Sequence, residues 1–440
     1  MDYKNYFRGK KITVMGLGLL GRGVGDAIFL AKCGAKLIVA DLKTKEQLKE
    51  SLLKLKKYNL PAQAGNIKYV LGKHRLEDFK NCDMVLKAAG VPLDSPYIKE
   101  ARKNKIPVEM SASLFAKLSG VPIIGVTGTR GKSTVAYLIY HILKLAGKRV
   151  FLGGNILGVS TLAFLSKANL YNCAVLELDS WQLQGFGDSK ISPHISVFTT
   201  FYPDHMNYYG EKMKHYFSDK AFIFLNQKKN DIFIAGKQVL PYIKKWGGKI
   251  NGKLITPQYL TNEWKLSILG EHNRYNATLA VAVAKELGIK EATIKKALKS
   301  FKGVPYRLEL IRTIHDIKFY NDTTATTPEA TLVALKTLGK NKKVILIIGG
   351  ADKGLDMSAL VKKIPKYCKA VIFLSGSGTK KLEKIKNIRE YDNLRSAVKK
   401  AYEIAKKGDI VLLSPAFASF GMFKNEYDRG EQFNRIVSRL

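Results

Sequence analysis

Short runs of β-branched and aliphatic residues recur along the chain, each ending in a glycine-rich turn or an acid and followed by a stretch of helical spacing. Ile12-Thr13-Val14-Met15 opens the first series. It leads through a glycine-rich turn into a helix containing Ala27 to Leu30, and then into Leu37-Ile38-Val39-Ala40-Asp41. Further strands are expected near Tyr69 to Leu71 and Met84 to Ala88. A second series starts at Pro122-Ile123-Ile124-Gly125-Val126, with a helix from Thr134 to Ala146 and strands at Ala174 to Glu177, Ile195 to Phe198 and Asp231 to Ile234. The third contains Lys318-Phe319-Tyr320, Val344 to Ile348, Ala370 to Phe373 and Ile410 to Leu413. Short strands alternating with helices specify parallel sheets with crossover helices. Two glycine-proline joints, Ser119-Gly120-Val121-Pro122 and Lys302-Gly303-Val304-Pro305, punctuate the series. The expected fold class is α/β, with three domains over 1–119, 120–304 and 305–440.

The length of 440 residues agrees with about three domains at roughly 150 residues each. A hydrophobic share of 46% is that of a globular chain rather than a disordered one. No apolar run is long enough to span a membrane. Met1-Asp2-Tyr3-Lys4 runs directly toward the first strand, unlike a secretory signal. Cys33, Cys82, Cys173 and Cys368 are scattered, which fits a reduced, cytoplasmic protein with neither disulfide frame nor zinc site.

A net charge of +38 raises the question of nucleic acid. The excess divides as +12, +14 and +12 over the three segments, and lysines outnumber arginines 60 to 14. An evenly spread lysine surplus without a basic tail reads as solvated surface, so no nucleic-acid or membrane partner is expected.

Three motifs carry the chemistry. Gly128-Thr129-Arg130-Gly131-Lys132-Ser133-Thr134 follows a strand and opens a helix. Its glycines let backbone N–H groups face a phosphate, Lys132 reaches the terminal phosphates, and a hydroxyl of Ser133 or Thr134 can ligate Mg²⁺. Gly16-Leu17-Gly18-Leu19-Leu20-Gly21 with Asp41 at the end of the next strand has the dinucleotide fingerprint, but the geometry suits any pyrophosphate. An NAD-dependent oxidoreductase therefore stays open at this point. Downstream of the phosphate loop stand Glu177 at a strand end, then Asp204-His205-Met206, then Lys220, 15 residues past the histidine.

In order along the whole chain, these residues resemble the Mur ligases, most nearly their MurD branch. The resemblance adds Gly153-Gly154-Asn155-Ile156, Gly270-Glu271-His272-Asn273-Arg274-Tyr275-Asn276, Asn321-Asp322-Thr323, Lys353 after a glycine pair, and Leu413-Ser414-Pro415-Ala416-Phe417-Ala418-Ser419-Phe420. It implies a Rossmann-like UDP-binding first domain, a P-loop-type ATPase centre and a Rossmann-like C-terminal domain that takes an amino acid. The activity implied is ATP-dependent amide synthesis: UDP-N-acetylmuramoyl-L-alanine is phosphorylated on its carboxylate and captured by glutamate. By the same resemblance, Lys132 meets the β/γ-phosphates within Gly128, Thr129, Gly131, Ser133 and Thr134. Ser133 and Glu177 hold one Mg²⁺, and His205 with a carbamylated Lys220 helps hold a second. Asn273, Asn276, Arg307 and Asp322 serve the nucleotide. Gly16, Gly18, Leu19, Gly21 and Asp41 hold the UDP part, and Asn155 meets the muramoyl-alanine arm. Thr326, Lys353 and Ser419 grip the amino acid, in a chain expected to act as a monomer.

Three positions depart from the family pattern. Tyr306 precedes Arg307 where histidine is common, Thr324 stands where the MurD branch often has lysine, and Glu426 replaces a familiar aromatic. The last two changes remove a cation from the expected amino-acid pocket and add an anion. D-Glutamate is the expected substrate, with L-glutamate or another amino acid as the alternative.

Overall fold

Met15 at the end of β1 (Lys11–Met15) is followed at once by the glycine turn, so the first strand delivers that turn to the edge of its sheet. A computed structural model describes residues 2–58, 67–385 and 389–440. The first sheet contains β1, β2 (Lys36–Asp41), β3 (Ile67–Leu71), β4 (Met84–Lys87) and β5 (Val108–Glu109), in the order β3-β2-β1-β4-β5. All its pairs are parallel, and the order reverses at β1, where an open α/β sheet places its ligand crevice.

The second sheet holds β6 (Ile123–Thr127), β7 (Val150–Gly154), β8 (Cys173–Glu177), β9 (Ile195–Phe198), β10 (Ile232–Ala235) and β11 (Lys253–Ile255). Its order, β11-β10-β9-β6-β8-β7, is again all parallel and again turns at its first strand. Every residue of β6 and β9 is buried, because helices cover both faces of the sheet.

The two sheets belong to one compact unit, residues 1–266 with 271–301, while residues 267–270 and 302–440 form another. One apolar cluster runs from Phe7, Ile12 and Val14 to Phe186, Phe198 and Phe233 of the first unit, and a smaller one around Met15, Phe79 and Ile98 lies on the other side of the first sheet's strands. The second unit has a sheet of β12 (Glu309–Ile314), β13 (Ile317–Asn321), β14 (Val344–Gly349), β15 (Cys368–Leu374), β16 (Arg389–Tyr391) and β17 (Ile410–Leu413). Strand alternation divides its core. Val344, Leu346 and Ile348 face one apolar cluster, while Ile345 and Ile347 face the other.

This third sheet is mixed. β12 pairs antiparallel with β13 through a turn whose two central residues, His315 (φ 47°) and Asp316 (φ 63°), both lie in the left-handed region. The parallel strands expected from the pattern are present, but β12 adds an edge that the pattern does not reveal. Leu310, Ile311 and Ile314 are apolar, but only Ile314 is buried, so no buried run marks it.

Candidate active site

The phosphate loop is bound to the segment after β9. Thr129 N–H donates to Thr200 O at 2.7 Å and Arg130 N–H to Thr200 Oγ1 at 2.9 Å. Thr199 Oγ1 returns a bond to Arg130 O at 2.5 Å, and Thr129 Oγ1 both accepts from Tyr202 N–H and donates to Tyr202 O. Two glycines are required by contact. A Cβ on Gly128 would collide with Thr199 Oγ1, and one on Gly131 with Asn276 Oδ1. Gly131, at φ 87°, ends the loop and the helix Lys132–Leu145 begins. Ser133 is buried in its first turn beside Thr134. Lys132 Nζ folds back onto the loop and donates to Gly128 O at 3.0 Å and Thr129 O at 3.2 Å. Asn276, on the helix Glu271–Glu286, lies against this loop and donates to Asn273 Oδ1 at 3.4 Å.

Lys220 lies beneath the same loop. It closes the helix Met213–Ala221 and is 1% exposed. Its Nζ donates to Gly128 O at 3.0 Å and stands 4.8 Å from the centre of the Tyr216 ring. No carboxylate pairs with it within ion-pair distance among the described residues. Burial, with the neighbouring charge of Lys132, holds its pKa well below the ordinary lysine range, against the opposing pull of Asp179, Asp204 and Asp219. The side chain is thus an amine biased to its neutral, nucleophilic form.

Glu177 ends β8, buried, in register with Val126 of β6 on one side and Gly154 of β7 on the other. His205, with φ 54°, begins the short turn Met206–Tyr209, and its ring centre is 4.6 Å from that of Trp181. Burial lowers the imidazole pKa, with Lys220 and Lys132 acting in the same direction and Asp204 and Asp179 opposing them. The neutral ring is the form that binds metals.

The glycine turn of the first sheet uses Asp41 internally. Asp41 accepts from Gly18 N–H at 3.0 Å with one carboxylate oxygen, which braces the turn, and from Lys43 N–H at 2.9 Å with the other, which caps the loop after its own strand. Gly16 and Gly21 have φ 93° and 81°, and Leu19 is exposed at the tip. Asn155 follows β7. Its N–H donates to Glu177 O at 2.8 Å, and its Oδ1 accepts from Arg22.

The second unit gathers its own set. Lys353 Nζ donates to Thr326 Oγ1 at 2.9 Å. Ala351 and Ala418 form a two-way backbone bridge that brings the Lys353 loop to buried Ser419. Asp322 is buried, accepting from Leu308 N–H at 3.1 Å and Ser414 Oγ at 2.8 Å. Burial pushes its pKa up to about 7 against those bonds and nearby Arg307. Thr324 Oγ1 donates to Tyr306 O, while Glu426 offers its backbone carbonyl to Thr323 Oγ1.

Known proteins match this arrangement along its length. The MurD-like N-terminal domain of Mur ligases matches residues 10–109, the Mur ligase middle domain 126–257, and the Mur ligase glutamate ligase domain 306–417. A UDP-N-acetylmuramoylalanine--D-glutamate ligase of Borreliella afzelii is 40% identical, covering 97% of each chain. The chain belongs to the Mur ligase family. A ligase of the same name from Roseiflexus sp. is 35% identical over 98% of each chain. Among solved structures, the UDP-N-acetylmuramate-alanine ligase MurC of Thermotoga maritima shares the Mur ligase fold at a TM-score of 0.63, with 20% identity over 98% of this chain and 99% of that one.

As a Mur ligase, the chain would handle a divalent ion with few ligands of its own. Among the described residues no group of three or more histidine, cysteine, aspartate or glutamate side chains is arranged for a metal. Ser133, Glu177, His205 and Lys220 offer a hydroxyl, a carboxylate, an imidazole and an amine around one loop. The Ser133 hydroxyl and the Glu177 carboxylate suit Mg²⁺, which keeps waters and takes substrate phosphate oxygens, whereas the His205 imidazole and the Lys220 amine are nitrogen donors that this hard ion does not favour.

Sequence reasoning passes over the residues that hold the site together. Thr199 and Thr200 fix the loop, and Asp219, accepting from Gln184 Nε2 at 2.8 Å and Tyr209 OH at 3.0 Å, braces the turn beside Lys220. Arg22, Asp26, Ser111 and Ser160 join the first sheet's helix to the second sheet's loops. Asp26, on the mostly buried helix Arg22–Lys32, is the one such residue with a local signal: an acid set among apolar positions.

Proposed function

We propose that this chain is an ATP-dependent ligase that joins D-glutamate to UDP-N-acetylmuramoyl-L-alanine in the synthesis of peptidoglycan precursor. The observation that carries this reading is the gathering of the phosphate loop, Glu177, His205 and a buried Lys220, which has no ion pair among the described residues, at one sheet edge. The full-length likeness to chains named for that reaction supports it. We assign 1–119 to the UDP-sugar, 120–304 to ATP and 305–440 to the amino acid, in a monomeric cytoplasmic enzyme without nucleic-acid or membrane partners. Among the described residues, no helix is long and apolar enough to cross a membrane.

A carboxylate is a poor electrophile, so the first step makes it one. A carboxylate oxygen of the sugar-nucleotide acid attacks the γ-phosphorus, the bond to the ADP oxygen breaks, and an acyl phosphate forms. The amino acid's nitrogen then attacks the acyl carbon, phosphate leaves with the former carboxylate oxygen, and the amine loses a proton. Lys132 turns from Gly128 O and Thr129 O to the β/γ-phosphates, where charge builds during transfer. Gly128, Thr129, Gly131, Ser133 and Thr134 cradle the phosphates, with Asn273, Asn276, Arg307 and Asp322 serving the rest of the nucleotide.

Mg²⁺ would neutralise phosphoryl charge, held by Ser133 with Glu177 and, at a second position, by His205 with Lys220. The neutral Lys220 amine adds to CO₂ and releases a proton, becoming an anionic carbamate able to serve as an oxygen ligand. Gly16, Gly18, Leu19 and Gly21 receive the diphosphate with Asp41 near the uridine, and Asn155 meets the muramoyl-alanine arm. Thr326, Lys353 and Ser419 grip the amino acid.

Phosphate release with ATP, Mg²⁺, UDP-N-acetylmuramoyl-L-alanine and a panel of amino acids tests this reading. Release is expected only with the matching acceptor, D-glutamate. Release indifferent to the acceptor would overturn it, and preference for L-glutamate or another amino acid would support the alternative raised by Thr324 and Glu426.

A further inference from the structure

Arg22 is the first residue of the helix Arg22–Lys32 and follows Gly21, the last glycine of the turn. Its Nη1 donates to Asn155 Oδ1. A guanidinium carries only donors, so the atom it meets is the amide carbonyl, and the Asn155 amide is fixed in one of its two orientations. With Oδ1 taken and the backbone N–H on Glu177 O, the Nδ2 group has no protein partner among the described residues.

The surroundings make this contact a rigid one. Leu20 O accepts from Gly158 N–H at 3.0 Å. One turn beyond Gly21, a Cβ on Gly25 would meet Ser160 Cβ at 2.6 Å. One turn beyond Arg22, Asp26 Oδ1 accepts from Ser160 Oγ at 2.6 Å and Ser111 Oγ at 2.8 Å. One helix face is thus set against the 155–160 loop at three successive places. A cation at a helix N-terminus also opposes the helix dipole. No carboxylate lies within ion-pair distance of Arg22 among the described residues, so ion pairing does not account for the arginine.

We infer that Arg22 is a positioning residue for the acyl arm of the sugar-nucleotide acid. By holding Asn155 Oδ1 it aims the Asn155 N–H₂ donors at that arm, and it ties the diphosphate turn to the loop that meets the acyl end. The inference rests on the proposed reading, in which Asn155 contacts the muramoyl-alanine arm.

The test compares Arg22→Met, which keeps an apolar stem without donors, and Arg22→Lys, which keeps one donor group, each alone and with Asn155→Ala. Arg22→Met should raise KM for UDP-N-acetylmuramoyl-L-alanine roughly tenfold, the scale of one charged hydrogen bond. KM for ATP and the inhibition constant of UDP, which lacks the acyl arm, should stay unchanged. Arg22→Lys should recover most of the loss, and Arg22→Met should add nothing once Asn155 is alanine. Additive losses, or weakening of UDP in step with KM, would overturn the inference. If Arg22→Met melts below the unaltered chain, Arg22→Lys decides: near-normal KM supports the inference, and the full loss opposes it. Asn155→Ala alone leaving that KM unchanged would remove Asn155 from the arm, and Arg22's role with it. An unaltered chain that turns over no acceptor would instead remove the ligase reading underneath.

Discussion

Lys220 Nζ donates to the carbonyl of Gly128 at 3.0 Å, so a lysine 92 residues away in sequence lies directly beneath the first glycine of the phosphate loop. This contact sets a buried amine directly against the backbone of the phosphate loop. It holds a lysine that composition would assign to the surface at 1% exposure.

Lys220→Ala should reduce turnover by at least about a thousandfold if a carbamate ligand is lost, with partial rescue by added short-chain carboxylates. ¹³C-labelled bicarbonate should give a carbamate resonance in the unaltered chain and none in the variant. Because burial depresses the folded-state pKa, the neutral amine is more populated than in an exposed lysine, and the signal should appear at lower pH than for such a lysine. A fully active Lys220→Ala chain would take the residue out of the site.

Lys132→Ala should abolish phosphate release while leaving the fold intact. Its partners in the loop are the carbonyls of Gly128 and Thr129. Thermal melting should therefore change little while nucleotide turnover disappears, and retained turnover would contradict the assigned role.

Gly131→Ala should weaken nucleotide binding far more than an ordinary surface change. The new methyl group would strike Asn276 Oδ1, and φ 87° already strains any side chain there. Combining it with Asn276→Ala should relieve the collision but not the backbone strain, giving partial recovery of the melting temperature while ADP affinity stays low because Asn276 itself is assigned to the nucleotide.

The phosphate loop was legible because its requirements are local: a strand, positive-φ glycines, then lysine and hydroxyl on a helix start. Lys220 was legible only as a family spacing, whereas His205 was singled out by its place after a strand end and a turn, where α/β folds set their ligands. Arg22 and Asp26 reach partners 133 and 134 residues away, Asn155 and Ser160, and those pairs exist only after the helix has docked. Asp41 carried a fingerprint that invites a ribose contact, yet one of its oxygens braces the glycine turn at Gly18 and the other accepts from Lys43 N–H just past its own strand. β12 escaped because an exposed edge strand has no buried run to betray it.

Asp26→Asn should flatten the acid-side stability profile of the first unit. Burial raises the Asp26 carboxyl to about 6 despite the bonds from Ser160 and Ser111. An acid whose folded-state pKa is raised contributes stability that is full below the unfolded value near 4 and is lost as pH rises through about 6. Asparagine can still accept both hydroxyls without ionising. Melting temperatures across pH 4 to 8 should fall less for the variant, and an unchanged slope would show that Asp26 does not set it.

The central claim is that the sugar-nucleotide carboxylate is phosphorylated before the amine attacks. UDP-N-acetylmuramoyl-L-alanine labelled with ¹⁸O in its terminal carboxylate, turned over with ATP, Mg²⁺ and D-glutamate, tests it most directly. One labelled oxygen should appear in each inorganic phosphate released. Unlabelled phosphate, with amide product formed, would contradict the acyl-phosphate route.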